Sequence, residues 1–145
     1  MYVGKVSEVT GELQKALNRL ITQLSVHEVP PTAGELNELI NSESSTLLVA
    51  RYPDENSAIA GILTLVIYRV PTGLRSIIED VVVDEEMHRR GIGETLIRYA
   101  IELAGEAGAD GVSLTSNSRR EGANQCYQSL GFELRKTNPY FFKLK

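Results

Sequence analysis

The sequence predicts a mixed α/β fold in which a mostly antiparallel sheet contains one parallel pair of strands and is flanked by helices. Three observations predict it. Helical periodicity comes first along the chain, three extended stretches joined by short loops follow, and the order then becomes strand, helix, strand, helix, strand. The parallel pair is expected because a strand that follows a long crossover helix runs in the same direction as the strand before it.

Two amphipathic helices are predicted near the N-terminus. Apolar residues recur at helical spacing from Gly11 to about Ser25, and Pro30-Pro31 ends that helix. Thr32, with Glu35 three residues later, gives a capping-box pattern for a second, shorter helix that ends at Asn41-Ser42.

Three extended stretches follow, and we expect them to form an antiparallel meander. They cover Thr46–Arg51, Ala58–Val70 and Ser76–Val83. The residues between them, Pro53-Asp54-Glu55-Asn56 and Pro71-Thr72-Gly73, are typical of hairpin turns.

The remainder of the chain alternates helices and strands. A stripe of apolar residues predicts a long helix from about Gly91 to Ala107, which Gly108 closes. A strand at Gly111–Thr115, a helix at Glu121–Leu130 that ends at Gly131, and a last strand at Tyr140–Leu144 complete the prediction.

Composition places the chain among ordinary globular domains. It has 145 residues, of which 42% are hydrophobic and 23% charged, and it has no linker long enough to separate two domains, so we expect one domain over 1–145. The net charge of −4 argues against a general nucleic-acid binder. The longest apolar-rich run, Ile59–Val70, is too short to span a bilayer, so no membrane partner is expected.

Cysteine and histidine usage predicts a cytoplasmic protein without a metal site. The one cysteine, Cys126, cannot form an internal disulfide, and His27 and His88 lie far apart with no metal-ligand pattern around them. No secretory signal is visible, because the N-terminal residues lack a basic run followed by an apolar stretch.

A Gly-x-Gly pair at the start of the long helix is the first candidate binding feature. Gly91 and Gly93 allow a tight turn there, and the start of a helix leaves up to four N–H groups without intrahelical partners. Such a site binds anions, and Arg89 and Arg90 add positive charge beside it. A tight turn without a ligand is the alternative.

Two common phosphate-binding loops fit this segment poorly. A Walker loop needs Lys and then Ser or Thr directly after its second glycine, where this chain has Glu94-Thr95. A dinucleotide fingerprint needs a third glycine at the position of Leu96, and it normally opens a larger domain.

Two motifs in this order resemble those of the GNAT superfamily of N-acetyltransferases. The run from Ile78 to Ile97, with Arg89-Arg90-Gly91-Ile92-Gly93, is similar to the acetyl-CoA signature of that family. Downstream, Ala123-Asn124-Gln125-Cys126-Tyr127-Gln128-Ser129-Leu130-Gly131-Phe132 is similar to its A-N-x-x-Y-x-x-x-G-F segment. The resemblance covers about Ala58 to Leu144.

This resemblance implies a GNAT-like fold in which the two parallel strands splay apart around acetyl-CoA, the co-substrate. Pantetheine amides would pair with the backbone of Val81 and Val83, as an added strand does. The pyrophosphate would lie on the N–H groups of Arg89 to Thr95. The implied cofactor-binding residues are Val81, Val82, Val83, His88, Arg89, Arg90, Gly91, Ile92, Gly93, Glu94, Thr95, Asn117, Asn124 and Tyr127.

Two of these residues, Ile92 and His88, are expected to contribute mainly through their backbone. The side chain of Ile92 is expected in the core, so its contribution would come from the backbone. His88 stands where the family usually carries Gln or Arg, three residues before the first motif glycine. Backbone donation should survive this change, whereas a side-chain contribution of His88 to phosphate binding stays open.

The implied reaction is attack of a neutral amine on a thioester carbonyl, which calls for a base. Glu79 and Asp80 are adjacent on a strand and therefore point to opposite faces. Because we expect Glu79 to share a face with Val81 and Val83, we predict that Glu79 is the base and acts through water. A solvated or salt-bridged carboxylate is the alternative.

Tyr127 is predicted to hydrogen-bond to the leaving thiolate or to protonate it, and Asn124 shares its helix face. Cys126 falls on the neighbouring apolar stripe, so we expect a buried structural thiol there and no nucleophile. Asn117, Arg119 and Arg120 either reach a phosphate of the co-substrate or form a solvated basic turn.

The sequence therefore leaves three hypotheses for the function. The leading hypothesis is acetyl transfer from acetyl-CoA to a small-molecule amine, and the second makes a peptide lysine or N-terminus the acceptor. The third is a non-catalytic acyl-CoA sensor. The net negative charge favours a cationic acceptor. Paired protomers are common in families like this one, so a homodimer is among the expected assemblies.

Overall fold

Five strands form one sheet, in which they lie in the same order as along the chain. The strands are β1 (Tyr2–Lys5), β2 (Ser45–Arg51), β3 (Ile59–Val70), β4 (Gly73–Val83) and β5 (Val112–Leu114). All neighbours are antiparallel except β4 and β5, which are parallel. The predicted mostly antiparallel sheet with one parallel pair is confirmed.

Four α-helices accompany the sheet in this computed structural model, which describes residues 1–145. The helices are α1 (Gly11–Leu24), α2 (Ala33–Ile40), α3 (Ile92–Ala107) and α4 (Glu121–Ser129). The chain divides into two units: Met1–Thr115 holds the sheet with α1 to α3, and Ser116–Lys145 holds α4. None of the helices has the length and apolar character needed to cross a membrane.

Side-chain caps explain where α1 and α2 begin. The Thr10 hydroxyl accepts a hydrogen bond of 3.1 Å from the N–H of Leu13. Thr32 and Glu35 form the predicted capping box, with bonds of 3.1 and 3.0 Å that satisfy two N–H groups at the start of α2. The apolar faces of both helices then join Leu47, Val49, Ile62 and Val82 in one core cluster.

Helix α3 packs against β3 and β4 on the face of the sheet opposite to that core cluster. Its buried residues recur at helical spacing: Ile92, Leu96, Ile97, Ala100 and Ala104. A Cβ atom at Gly61 of β3 would lie 3.2 Å from side-chain atoms of both Ile92 and Leu96, so glycine permits this close approach. The helix ends at Gly108, whose φ of +86° is the predicted left-handed stop.

Two differences from the predicted elements stand out. Strand β1 was not predicted, because four residues with a central glycine carry little alternation. The predicted strand at Tyr140–Leu144 is wrong: this segment has no regular structure, and Tyr140, Phe141, Phe142 and Leu144 are between 85% and 92% exposed. Its sequence favours a strand, but a strand also needs a neighbour that satisfies its backbone groups.

Candidate functional site

The later part of β4 has an open edge. Strand β5 pairs only with Ser76, Ile77 and Ile78 of β4. From Glu79 to Val83, β4 is paired on one side alone, with β3. An open stretch of backbone therefore lies where the family resemblance implied that the parallel strands separate.

The hydrogen-bond ladder shows which backbone groups face this open edge. The N–H of Asp84 donates to the carbonyl of Ala60 at 2.8 Å. Because bonding alternates along an antiparallel pair, the N–H and C=O of the preceding Val83 point away from β3 and toward the open edge. One ring nitrogen of His88, Nε2, lies 3.1 Å from this Val83 carbonyl oxygen.

A β-bulge in β4 changes which residues share a face of the sheet with Glu79. Thr64 of β3 pairs with Glu79 but Ile62 pairs with Val82, so β4 has one extra residue between them. Directly paired residues share a face, which places Glu79 with Val82 and places Val83 on the opposite face. The expectation that Glu79 and Val83 share a face is therefore wrong, although Glu79 is exposed as a base requires.

Asp80 occupies this bulge in an unusual conformation. Its φ of +50° lies in the left-handed region, which aspartate tolerates better than most residues. Burial raises the pKa of its carboxyl, and the nearby charge of Glu28, from the connection between α1 and α2, raises that pKa further. The two carboxylates bring negative charge next to the open edge of β4.

The start of α3 presents unpartnered N–H groups. Gly91 has a φ of +75° and supplies no side-chain cap, and the first intrahelical bond is a 3.0 Å bond from the N–H of Thr95 to the Gly91 carbonyl. The N–H groups of Ile92, Gly93 and Glu94 precede that bond and have no acceptor within the helix. A Cβ atom at Gly91 would meet nothing within 4 Å, so the space beside this turn residue is open.

Positive charge flanks this turn. Arg89 and Arg90 are exposed just before the helix, and Arg89 is held at a φ of +66°. The guanidinium of Arg90 lies 5.4 Å from the ring centre of Tyr52, in the loop after β2. Glu94 pairs with Arg98 at 2.9 Å, which offsets the negative charge nearest to the N–H groups.

Helix α1 anchors the acidic turn at the end of β4. Arg19 forms a 3.1 Å ion pair with the buried Asp84 and a 2.9 Å bond to the Ile59 carbonyl. The side chain of Gln23 accepts a 3.0 Å bond from the N–H of Glu85. The sequence predicted neither the contacts of Arg19 and Gln23 nor the contact between Arg90 and Tyr52, because no local pattern links residues so distant along the chain.

The second unit contains the other predicted site residues. Tyr127 is buried and meets Phe132 edge to face at 6.1 Å. Burial raises the pKa of the Tyr127 hydroxyl, which the charge of Arg120 partly opposes. Cys126 is half-buried, less than predicted.

Hydrogen bonds join Asn124, in the first half of α4, to the polar residues of the preceding loop. The side-chain N–H groups of Asn124 donate to the carbonyls of Asn117 and Arg120 at 3.0 and 2.8 Å. The side-chain oxygen of Asn117 accepts a 2.9 Å bond from the N–H of Arg119. These bonds shape the loop, so Asn117 and Asn124 have a structural role that the sequence did not predict.

This arrangement suits a ligand with a diphosphate and an amide chain. The N–H groups of α3 and the two arginines fit an anion, and the open edge of β4 fits amides that pair like a strand. His88 lies at the same Val83 carbonyl, so a ligand that bonds there would share this oxygen with His88 or displace it.

Comparison with known proteins identifies a family and a shared fold. A family model described as the acetyltransferase (GNAT) family matches residues 14–132. No curated protein matches the chain.

Several solved structures share the fold over nearly the whole chain. An Agrobacterium tumefaciens protein assigned provisionally as an acetyltransferase is 25% identical, with a TM-score of 0.82 over 99% of this chain and 100% of that one. An aminoglycoside acetyltransferase from an uncultured soil metagenomic sample, in complex with sisomicin, is 22% identical, with a TM-score of 0.83 over 99% and 96%. An acetyltransferase of Trypanosoma brucei is 21% identical, with a TM-score of 0.77 over 98% and 99%.

Proposed function

The chain belongs to the acetyltransferase (GNAT) family, and from this premise we propose that it transfers the acetyl group of acetyl-CoA to a primary amine of a small molecule. The observation that carries the proposal is that free N–H groups and an unpaired strand edge lie close together. The N–H groups of Ile92 to Glu94 have no acceptor within α3, and a Cβ atom at Gly93 would lie 3.4 Å from the side chain of Val83, at the open edge of β4. A cytoplasmic location stays a prediction from cysteine usage.

Backbone groups would hold most of the co-substrate. The three free N–H groups of α3 would bind the pyrophosphate, with Arg89 and Arg90 offsetting its remaining charge. The N–H of Val83 would pair with the pantetheine arm, and His88 would release the Val83 carbonyl as that arm enters. When bound, acetyl-CoA supplies the acetyl group as a thioester.

Glu79 is the proposed base. An alkyl ammonium has a pKa near 10.4, so holding the amine neutral at pH 7 costs about 4–5 kcal/mol. Glu79 would take the amine proton through water as the C–N bond forms and the C–S bond breaks. Its exposure on β4 supports this role; a shared face with Val83 does not, because the bulge places the Val83 side chain on the other face of the sheet.

Tyr127 is proposed to stabilise the leaving thiolate by donating a hydrogen bond. A thiol has a pKa near 8.5 and a phenol near 10, so full proton transfer from tyrosine to thiolate is unfavourable. Burial raises the pKa of Tyr127 and widens that gap. Hydrogen bonding to the developing negative charge is therefore the better-supported role.

Asp80 and Glu28 favour a cationic acceptor. Their carboxylates lie close enough for the charge of Glu28 to raise the pKa of Asp80. An ammonium group would relieve that repulsion, and opposite charge raises the local concentration of a cationic amine. Aminoglycosides and polyamines are the first classes to test, since a structural relative with this fold is an aminoglycoside acetyltransferase.

A thiol-release assay with acetyl-CoA over amino acids, polyamines, aminoglycosides and lysine peptides tests the proposal. We expect turnover with a small cationic amine, and a fall in kcat of about 10²-fold or more in Glu79→Gln and in Tyr127→Phe. Glu102→Gln and Tyr68→Phe, which change exposed residues of α3 and β3, are matched controls that should retain activity. Preference for peptides would favour a protein acetyltransferase, and binding without turnover on any amine would favour a sensor.

A further inference from the structure

Two polar residues of α1 hold the chain at the point where β4 ends. Arg19 and Gln23 lie four residues apart, so they share one face of the helix. Their partners, Asp84 and Glu85, are consecutive along the chain. The helix therefore contacts the segment between β4 and α3 at two successive residues.

The Asp84 carboxylate connects Arg19 to the short 3₁₀ helix Glu85–Met87 that follows β4. One oxygen, Oδ2, accepts the 3.1 Å bond from Nε of Arg19, and the other, Oδ1, accepts a 3.2 Å bond from the N–H of Glu86. The main-chain carbonyl of Asp84 accepts a 2.8 Å bond from the N–H of Met87. A change in the position of Asp84 would therefore disturb the start of this 3₁₀ helix.

Arg19 also fixes Asp84 relative to β3. Its Nη2 atom donates a 2.9 Å bond to the carbonyl of Ile59, the first residue of β3. The N–H of Asp84 donates to the next carbonyl, that of Ala60. Because the Asp84 side chain is only 12% exposed, water is a poor substitute for Arg19. Loss of Arg19 would therefore favour movement of this carboxylate toward solvent.

The two halves of the proposed co-substrate site lie on either side of this contact along the chain. Val83, whose N–H and C=O point to the open edge of β4, directly precedes Asp84. The 3₁₀ helix leads through residues 88–91 to the free N–H groups of α3. A ring nitrogen of His88 also lies 3.1 Å from the Val83 carbonyl oxygen. The position of Asp84 therefore affects both the edge for pantetheine and the loop for pyrophosphate.

From these contacts we propose that Arg19 is a positioning residue for the co-substrate, which acts through Asp84 without touching acetyl-CoA. The inference rests on the proposed function. Arg19 would hold the backbone of Val83 and the approach to α3 in the arrangement that binds the co-substrate. Less binding free energy would then be lost in ordering this segment. Gln23 supports the same segment through its bond with Glu85.

Calorimetric titration of the intact chain with CoA tests the proposal. We expect Arg19→Gln to weaken CoA binding about tenfold, the factor that corresponds to one lost hydrogen bond to a charged group. Arg19→Lys keeps the charge and can keep one of the bonds, so it should recover part of the affinity. Lys15→Gln removes the same charge from an exposed residue one turn earlier in α1 and should bind CoA like the unchanged protein.

Kinetics and amide hydrogen exchange separate positioning from a general loss of stability. In Arg19→Gln we expect a higher KM for acetyl-CoA with kcat unchanged, and faster exchange of the Glu86 N–H than in Lys15→Gln. A lower Tm with unchanged CoA affinity well below that Tm would show that Arg19 is only structural. That result would overturn the proposal.

A double variant, Arg19→Gln with Asp84→Asn, tests whether Arg19 acts through Asp84. We expect it to bind CoA no more weakly than the poorer of the two single variants, because both substitutions break the same contact. Losses of affinity that add would contradict this route. Failure of the unchanged protein to bind CoA would overturn the proposed function together with this inference, whereas equal binding by the unchanged protein and Arg19→Gln would overturn this inference alone.

Discussion

Arg90 is oriented by an aromatic ring beside the start of α3. Its guanidinium lies 5.4 Å from the centre of the Tyr52 ring. Such a contact at an exposed site contributes about 0.5–1 kcal/mol. A side chain that is already ordered loses less entropy when it binds phosphate, so under the proposed function Tyr52 would assist co-substrate binding through Arg90.

Replacing Tyr52 tests this positioning role. We expect Tyr52→Leu to raise the KM for acetyl-CoA about twofold to fivefold, the factor that corresponds to one exposed cation–π contact, with kcat unchanged. Tyr52→Phe keeps the ring and should behave like the unchanged protein. Equal effects of the two substitutions on KM would show that the ring has no such role.

Asp80 gives a prediction with a defined pH dependence. Its pKa is raised on folding, so the folded state favours the protonated carboxyl, and this contribution to stability is lost as pH rises through the folded pKa. Asp80→Asn removes the charge and suits the left-handed backbone. We expect a higher Tm than the unchanged protein at pH 7 and little difference near pH 3.

The outcome that contradicts this account of Asp80 is a Tm difference that is the same at both values of pH. Glu86→Gln serves as the matched control, because Glu86 is an exposed carboxylate in the turn after β4. We expect it to show no such rise in Tm between pH 3 and pH 7.

At the scale of elements, the start of α3 depends on the conformation of Gly91. Alanine in the left-handed region costs roughly 1–2 kcal/mol. In the Gly91→Ala variant, the backbone would shift to relieve this strain. That shift would misalign the free N–H groups of the helix. Loss of one hydrogen bond to a charged group is worth about 1.5 kcal/mol or more, so we expect acetyl-CoA to bind about tenfold more weakly.

Gly105→Ala provides the matched control within the same helix. A Cβ atom there would meet nothing within 4 Å, and alanine favours a helix interior over glycine by about 0.5–1 kcal/mol. Calorimetry should therefore find unchanged acetyl-CoA affinity and a higher Tm. Equal loss of affinity in both glycine variants would show that the N-terminal geometry of α3 does not matter.

Most elements were predictable because their signals are local. The capping box of Thr32 and Glu35, the stop at Gly108 and the long helix between β4 and β5 all stand where the sequence placed them. The bulge at Asp80 was not predictable, because one extra residue in a strand leaves the sequence pattern almost unchanged. The segment Tyr140–Leu144 shows the converse: strand propensity without a paired edge forms no strand.

Across the whole molecule, the proposed binding of the co-substrate depends mainly on main-chain groups. The open edge of β4 and the start of α3 need only a strand, a turn and a helix in the right order, which two short motifs signal in the sequence. The proposed preference for a cationic acceptor, by contrast, rests on side chains brought together from distant segments, such as Glu28 and Asp80. No local sequence pattern predicts that Glu28 and Asp80 lie close together.

Under the proposed function, the N–H groups at the start of α3 bind the diphosphate of CoA. Titration of the 15N-labelled protein with CoA, followed by NMR, tests it most directly. We expect the amide signals of Ile92, Gly93 and Glu94 to move most and in proportion to binding, and pantetheine without phosphate to leave them in place. Tight binding of CoA that leaves these three amide signals unmoved would show that the diphosphate does not bind at the start of α3.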